Sequence, residues 1–139
     1  MRRTAMAILA ATVVFGLASC SGVTSGLVGP TWQWTQLTEN HPKHQSVVPD
    51  PSNYTIEFTV DGHFQAKADC NQVSGSYTAS GSSLTLNLGP STLVACGADS
   101  LGDQFTALLH TVSGFSVSGT KLTMTLANDA GEMGFDQGS

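Results

Sequence analysis

From Tyr54 almost to the C-terminus, apolar residues recur at every second position, and this period of two constrains the fold more than any other feature of the chain. Tyr54, Ile56, Phe58 and Val60 alternate with Thr55, Glu57 and Thr59. Asp61-Gly62 is a strong hairpin signal, and Phe64, Ala66, Ala68 and Cys70 share one face of the returning strand. A second hairpin runs over Gly75 to Ala79 and Ser83 to Leu88, turning at Ser80-Gly81 with Leu84, Leu86 and Leu88 inward. A third pairs Phe115 and Val117 with Leu122, Met124 and Leu126 about Ser118-Gly119, and Met133 and Phe135 follow the turn at Asn128 to Gly131. Upstream, Trp32 and Trp34 alternate with Gln33 and Thr35, while Leu93 to Cys96 is a short apolar run.

Two segments break the alternation. Leu37 to Asn53 holds three prolines, two histidines and few apolar residues, which predicts a long loop. Leu101, Phe105, Leu108, Leu109 and Val112 recur at helical spacing, with Ser100 and Asp103 placed as a capping box and Gly114 as a stop. The expected fold is therefore mainly β. Seven to eight short antiparallel strands form a barrel-like curved sheet, and one α-helix (about 100–112) covers an open end.

The first nineteen residues read as a leader rather than as structure. Arg2 and Arg3 precede Ala5 to Leu17, an apolar stretch that suits a signal peptide and is too short to span a bilayer. Leu17-Ala18-Ser19-Cys20 then has the pattern of a bacterial lipobox, in which the cysteine is lipidated and becomes the mature N-terminus. Ser21 to Pro30 is small and glycine-rich. The expected organisation is a lipoprotein signal over 1–19, a flexible tether over 20–30 and one domain over 31–139. With Cys20 acylated, Cys70 and Cys96 remain as an even pair in an oxidising compartment, where a disulfide is expected. Period-two counting puts both inward.

The order of these elements resembles the META/HslJ-like domain of bacterial envelope proteins. The resemblance rests on Trp32-x-Trp34, Asp69-Cys70-Asn71, Gly75-Ser76-Tyr77, Leu84-Thr85-Leu86, the run Ser91 to Cys96, the helix with Phe105 and Leu109, and Gly119-Thr120-Lys121-Leu122. It covers about Thr31 to Phe135. One departure is Asp69, where family members often carry glycine. The resemblance implies a small antiparallel β fold with one helix and a cysteine pair. It also implies exported proteins associated with heat shock, drug tolerance or motility. It implies no known reaction.

Charge excludes one large class of partner. Beyond Arg2 and Arg3 the chain has three lysines (Lys43, Lys67, Lys121) against ten carboxylates, too few cations to neutralise a run of phosphates in a nucleic acid. No nucleophile elbow, phosphate loop or dinucleotide fingerprint occurs. His41 and His44 are weak candidates for a metal, with Glu39, Asp50 or His63 as further ligands; a solvated loop is the simpler account. Asp99 and Asp103 fit a helix N-terminus better than a catalytic pair. Trp32 and Trp34 fit core positions better than a stacking platform. The reading is a lipid-anchored, non-enzymatic protein of the cell membrane or outer membrane, without cofactor. Its partner is an envelope protein or a small ligand. The alternative is a carrier enclosing an apolar ligand against Trp32, Phe58, Phe64 and Leu86.

Overall fold

The computed structural model describes residues 26–139, so the leader and Cys20 lie outside the described residues. Among the described residues there are nine strands: β1 (Thr31–Asn40), β2 (Lys43–Val47), β3 (Tyr54–Phe58), β4 (His63–Ala68), β5 (Asn71–Ser80), β6 (Ser83–Ser91), β7 (Val112–Ser118), β8 (Lys121–Leu126) and β9 (Gly131–Gln137). One helix, α1 (Gly102–Leu109), joins β6 to β7. All pairings are antiparallel, in the order β2-β1-β3-β4-β5-β6-β7-β8-β9, and β9 returns to pair with β1. The sheet is thus a closed ring of eight strands, with β2 attached outside it.

Alternation in the sequence becomes layers in the core. Phe58 faces Phe64, Ile56 faces Ala66, and Tyr54 faces Ala68 across β3 and β4. Leu122 faces Phe135, and Met124 faces Met133, across β8 and β9. These side chains are all buried, and no buried side-chain nitrogen or oxygen among the described residues lacks a hydrogen-bond partner.

Two segments differ from the expectation. The segment Leu37–Asn53 is not one long loop: β1 continues to Asn40 and turns back into β2, with a short 3-10 turn at Pro51–Asn53. The strand was illegible because a bulge between Trp34 and Gln36 advances the inward phase by one residue, from Trp32 and Trp34 to Leu37. β2 itself is almost wholly solvated and so has no apolar face to betray it. Conversely, the short apolar run Leu93 to Cys96, read as facing inward, stands in an exposed loop.

The two ends of the ring are closed differently. At one end α1 lies across the opening and buries Phe105 and Leu109. Phe105 stacks on Trp34 with ring centroids 5.3 Å apart, and packs against Tyr54 at 6.0 Å and Phe135 at 6.4 Å. The helix begins at Gly102, where a Cβ would come within 2.8 Å of the Ala68 carbonyl oxygen, so glycine permits the close approach to β4. α1 is shorter than the expected 100–112, and the capping box does not form. Ser100 Oγ instead accepts the Gly102 amide at 3.1 Å, while the Leu101 amide donates to the Tyr54 hydroxyl.

At the other end the chain before β1 supplies the plug. Leu27 is fully buried, its carbonyl accepts the Trp32 indole N–H at 2.9 Å, and the Gly29 amide donates to the Phe58 carbonyl. Gly26–Pro30 is therefore part of the packed domain, which corrects the reading of 20–30 as tether over these residues.

If Phe105 closes the barrel, Phe105→Ala should lower stability by about 3–5 kcal/mol, the range for deleting a buried aromatic side chain. Val60→Ala, at a position 92% exposed, should change it by less than about 0.5 kcal/mol. Urea unfolding of the two variants measures both, and similar midpoints would refute the plug.

Candidate functional site

The loop after β6 is held to the start of β5 by one asparagine. Asn71 Oδ1 accepts the Val94 amide at 2.8 Å and the Thr92 hydroxyl at 3.0 Å. Its Nδ2 donates to the Val94 carbonyl at 2.9 Å and reaches Cys96 Sγ at 3.5 Å. The Asn71 amide thereby uses both donors and both acceptor positions. The Thr92 hydroxyl in turn accepts the Gln72 amide at 2.9 Å. A disulfide between Cys70 and Cys96, with Cα atoms 5.7 Å apart, ties the far side of the same loop.

The pair is joined as expected, but not in the core. Asp69 has φ 60°, and this left-handed turn ends β4 at Ala68 and carries Cys70 off the strand face. Cys70 is exposed and Cys96 half-buried. Aspartate is one of the few side chains that tolerates this conformation, where glycine is unstrained. The Asp69 carboxylate thus belongs to a turn and the adjacent sulfur to a disulfide.

The clamped loop presents apolar side chains to water. Leu93 is 93% exposed and Val94 59%. Between this loop and α1 runs a groove of about 280 Å³, whose lining includes Val73, Ser91, Leu93, Asp103, Ala107 and His110. Asp103 stands in the first turn of α1, as its fit to the helix dipole implies. The sequence showed Leu93 and Val94 as an apolar run without showing that they face outward.

Other candidate residues lie apart. His41 Nε2 is 3.2 Å from Asp129 Oδ2, with both side chains exposed. His44 stands opposite Glu39 in the β1–β2 register. His63 is at the other end of the ring, at the β3–β4 turn, and among the described residues no group of three metal-ligating side chains converges. Trp32 and Trp34 are core residues.

The β3–β4 turn carries a polar cluster that sequence reasoning missed. The Thr59 hydroxyl donates to Asp61 Oδ1, and His63 Nδ1 lies 3.4 Å from Asp61 Oδ2. The Thr59 bond is the main reason the Asp61 carboxyl titrates below its ordinary range, with His63 adding to the effect. Tyr77, whose hydroxyl donates to the Thr59 carbonyl, is raised by burial and then by the Asp61 charge. Thr59, Asp61 and His63 rim an open depression with Phe64, Ser74 and Pro90.

Replacing Cys70 and Cys96 together by alanine frees a loop with a sequence separation of 26 and should cost about 3.5 kcal/mol in urea unfolding. Val94 should then keep slow amide exchange through Asn71 and lose it in Asn71→Ala. At the other end, Asp61 binds its proton less readily folded than unfolded. Its contribution is present above the unfolded pKa and is lost as pH falls through the lower folded value. Thr59→Val should raise the Asp61 pKa in a carboxyl-carbon NMR titration; an unchanged titration would refute the assignment.

No curated protein matches the chain. Among solved structures, a protein from Burkholderia xenovorans has a TM-score of 0.66 at 18% identity, covering 100% of this chain and 99% of its own. A DUF4847 family protein from Bacteroides vulgatus has a TM-score of 0.63 at 14% identity, covering 84% and 98%. At these identities the likeness shows the fold. The META domain profile matches residues 25–136, which take in the plug before β1, the clamped loop and all nine strands but the last residue of β9, and the chain therefore belongs to the META domain family.

Proposed function

We propose that this protein is a lipid-anchored, non-catalytic META domain that docks an envelope partner through its disulfide-clamped end. The observation that carries the reading is the Leu93–Val94 loop. Its two apolar side chains are exposed although four hydrogen-bonding positions of Asn71 and a disulfide hold it in place. An apolar loop kept solvated and ordered loses little conformational entropy on binding.

The position of the plug supports the orientation. Gly26–Pro30 packs at the β3–β4 turn, opposite α1 and the disulfide. Cys20 precedes Gly26 by six residues, about 20 Å of chain at full extension. An anchor there holds the plugged end toward the bilayer and directs Leu93 and Val94 away from it. Two acyl chains suffice for stable attachment where one does not.

The interior speaks against a carrier. Trp32, Phe58, Phe64 and Leu86, the residues such a cavity would need, are at most 6% exposed and packed together, with the Phe58 and Tyr77 rings 5.0 Å apart. A hydrolase is no better supported. The Asp61–His63 pair is solvent-exposed, and among the described residues no serine or cysteine side chain hydrogen-bonds to the imidazole. Support at the envelope during stress is the role to which the family resemblance points.

Mass spectrometry of the mature N-terminus should find diacylglyceryl on Cys20, and Cys20→Ala should move the protein to the soluble fraction. In-cell crosslinking from position 93 should give discrete adducts that Val94→Ser diminishes. An unmodified Cys20 would overturn the anchor, and adducts indifferent to Val94→Ser would overturn the docking end.

A further inference from the structure

β6 has an edge that the ring does not use. Its pairing with β7 is a single register pair, Ser83 with Gly114, whereas its pairing with β5 runs from Ser83 to Ser91. From Thr85 onward the side of β6 away from β5 has no ladder partner among the described residues. Unpaired strand edges hold N–H and C=O groups ready for another extended chain. Pro90 lacks an N–H, so the usable edge is Thr85 to Gly89. That edge leads into the groove beneath Leu93, since Ser91 closes β6 and lines the groove with Ala107 of α1.

Charge selects among extended chains. Asp103 lines the groove, Asp99 lies just upstream of α1, and Asp69 precedes the disulfide. None of the three pairs with a cation among the described residues. Resting on the docking reading above, we propose that the β6 edge and its groove take an extended, basic segment of a partner protein by strand addition. Main-chain hydrogen bonds to Thr85–Gly89 would give affinity. An apolar side chain against Leu93 and Ala107, with a cation at Asp103, would give preference. The competing occupant from this chain itself is β2, whose outer edge is also unpaired among the described residues and which carries Lys43.

The probe is a heptapeptide of alternating lysine and valine, titrated into the mature protein in detergent and followed by amide NMR. The expected result is saturable binding, with shifts at Thr85–Gly89 and Ala107–His110. Binding should weaken by about tenfold or more, some 1.4 kcal/mol, for a glutamate–valine peptide and for an N-methylated lysine–valine peptide. The exposed substitutions Leu93→Ser and Asp103→Asn should weaken it similarly. Absence of saturable binding, equal affinity for the glutamate peptide, or shifts confined to other surfaces would overturn the proposal. So would self-association abolished by Lys43→Glu, which would assign the edge to a second copy. Crosslinks in cells without peptide binding would leave the docking reading standing and remove strand addition. Peptide binding without crosslinks in cells would do the reverse.

Discussion

β1 makes backbone hydrogen bonds to three strands, and the ring depends on that sharing. One edge of β1 pairs with β9 along most of its length; the other pairs with β3 through Thr31–Gln33 and with β2 through Gln36–Asn40. The bulge between Trp34 and Gln36 makes the division possible by bending the strand and re-aiming its side chains. On one side of the bulge Trp34 reaches the stack with Phe105 that seats the helix; on the other Leu37 enters the core opposite Met133. Without this joint the sheet would be open, with two long edges exposed.

Closure fills the barrel and leaves its two ends as the surfaces that differ. In a ring of eight strands the inward side chains leave little room, and here Trp32, Trp34, Phe58, Phe64 and Phe135 occupy the middle. The plug before β1 and the helix after β6 then make the ends unlike. One end carries small polar turns and the Thr59–Asp61–His63 cluster. The other carries a disulfide, an asparagine clamp and two solvated apolar side chains. The features proposed for docking lie where the ring is least complete, at the β6–β7 seam, because a connection that includes a helix cannot continue the strand ladder.

Most strands were legible because a half-buried strand writes its orientation into alternate positions, as Tyr54, Ile56 and Phe58 do. Phe105 and Leu109 likewise marked the buried side of the helix. Where that coupling fails, the reading failed with it. β2 has no buried face, and the β1 bulge changes phase in mid-strand. Leu93 and Val94 are apolar without being inside. Within the candidate site, Cys70 and Cys96 were identifiable as a pair, yet the groove between their loop and α1 was not, since its walls are far apart in the chain.

The sequence by itself determined the β character, the hairpin turns, the helix, the cysteine pair and the acidic balance, since each rests on neighbouring residues or on composition. Tertiary structure alone decided that the sheet closes through β1 and β9, that residues 26–30 plug one end, and that the disulfide lies at the surface. It also decided that Leu93 and Val94 face solvent beside an unpaired edge. These outcomes depend on contacts between distant segments, whose balance of burial, hydrogen bonding and backbone strain no local pattern records. Asp69 shows the difference in one residue. Its identity permits a left-handed turn, but it is the docking of β5 against β4 and of the loop against Asn71 that requires one there.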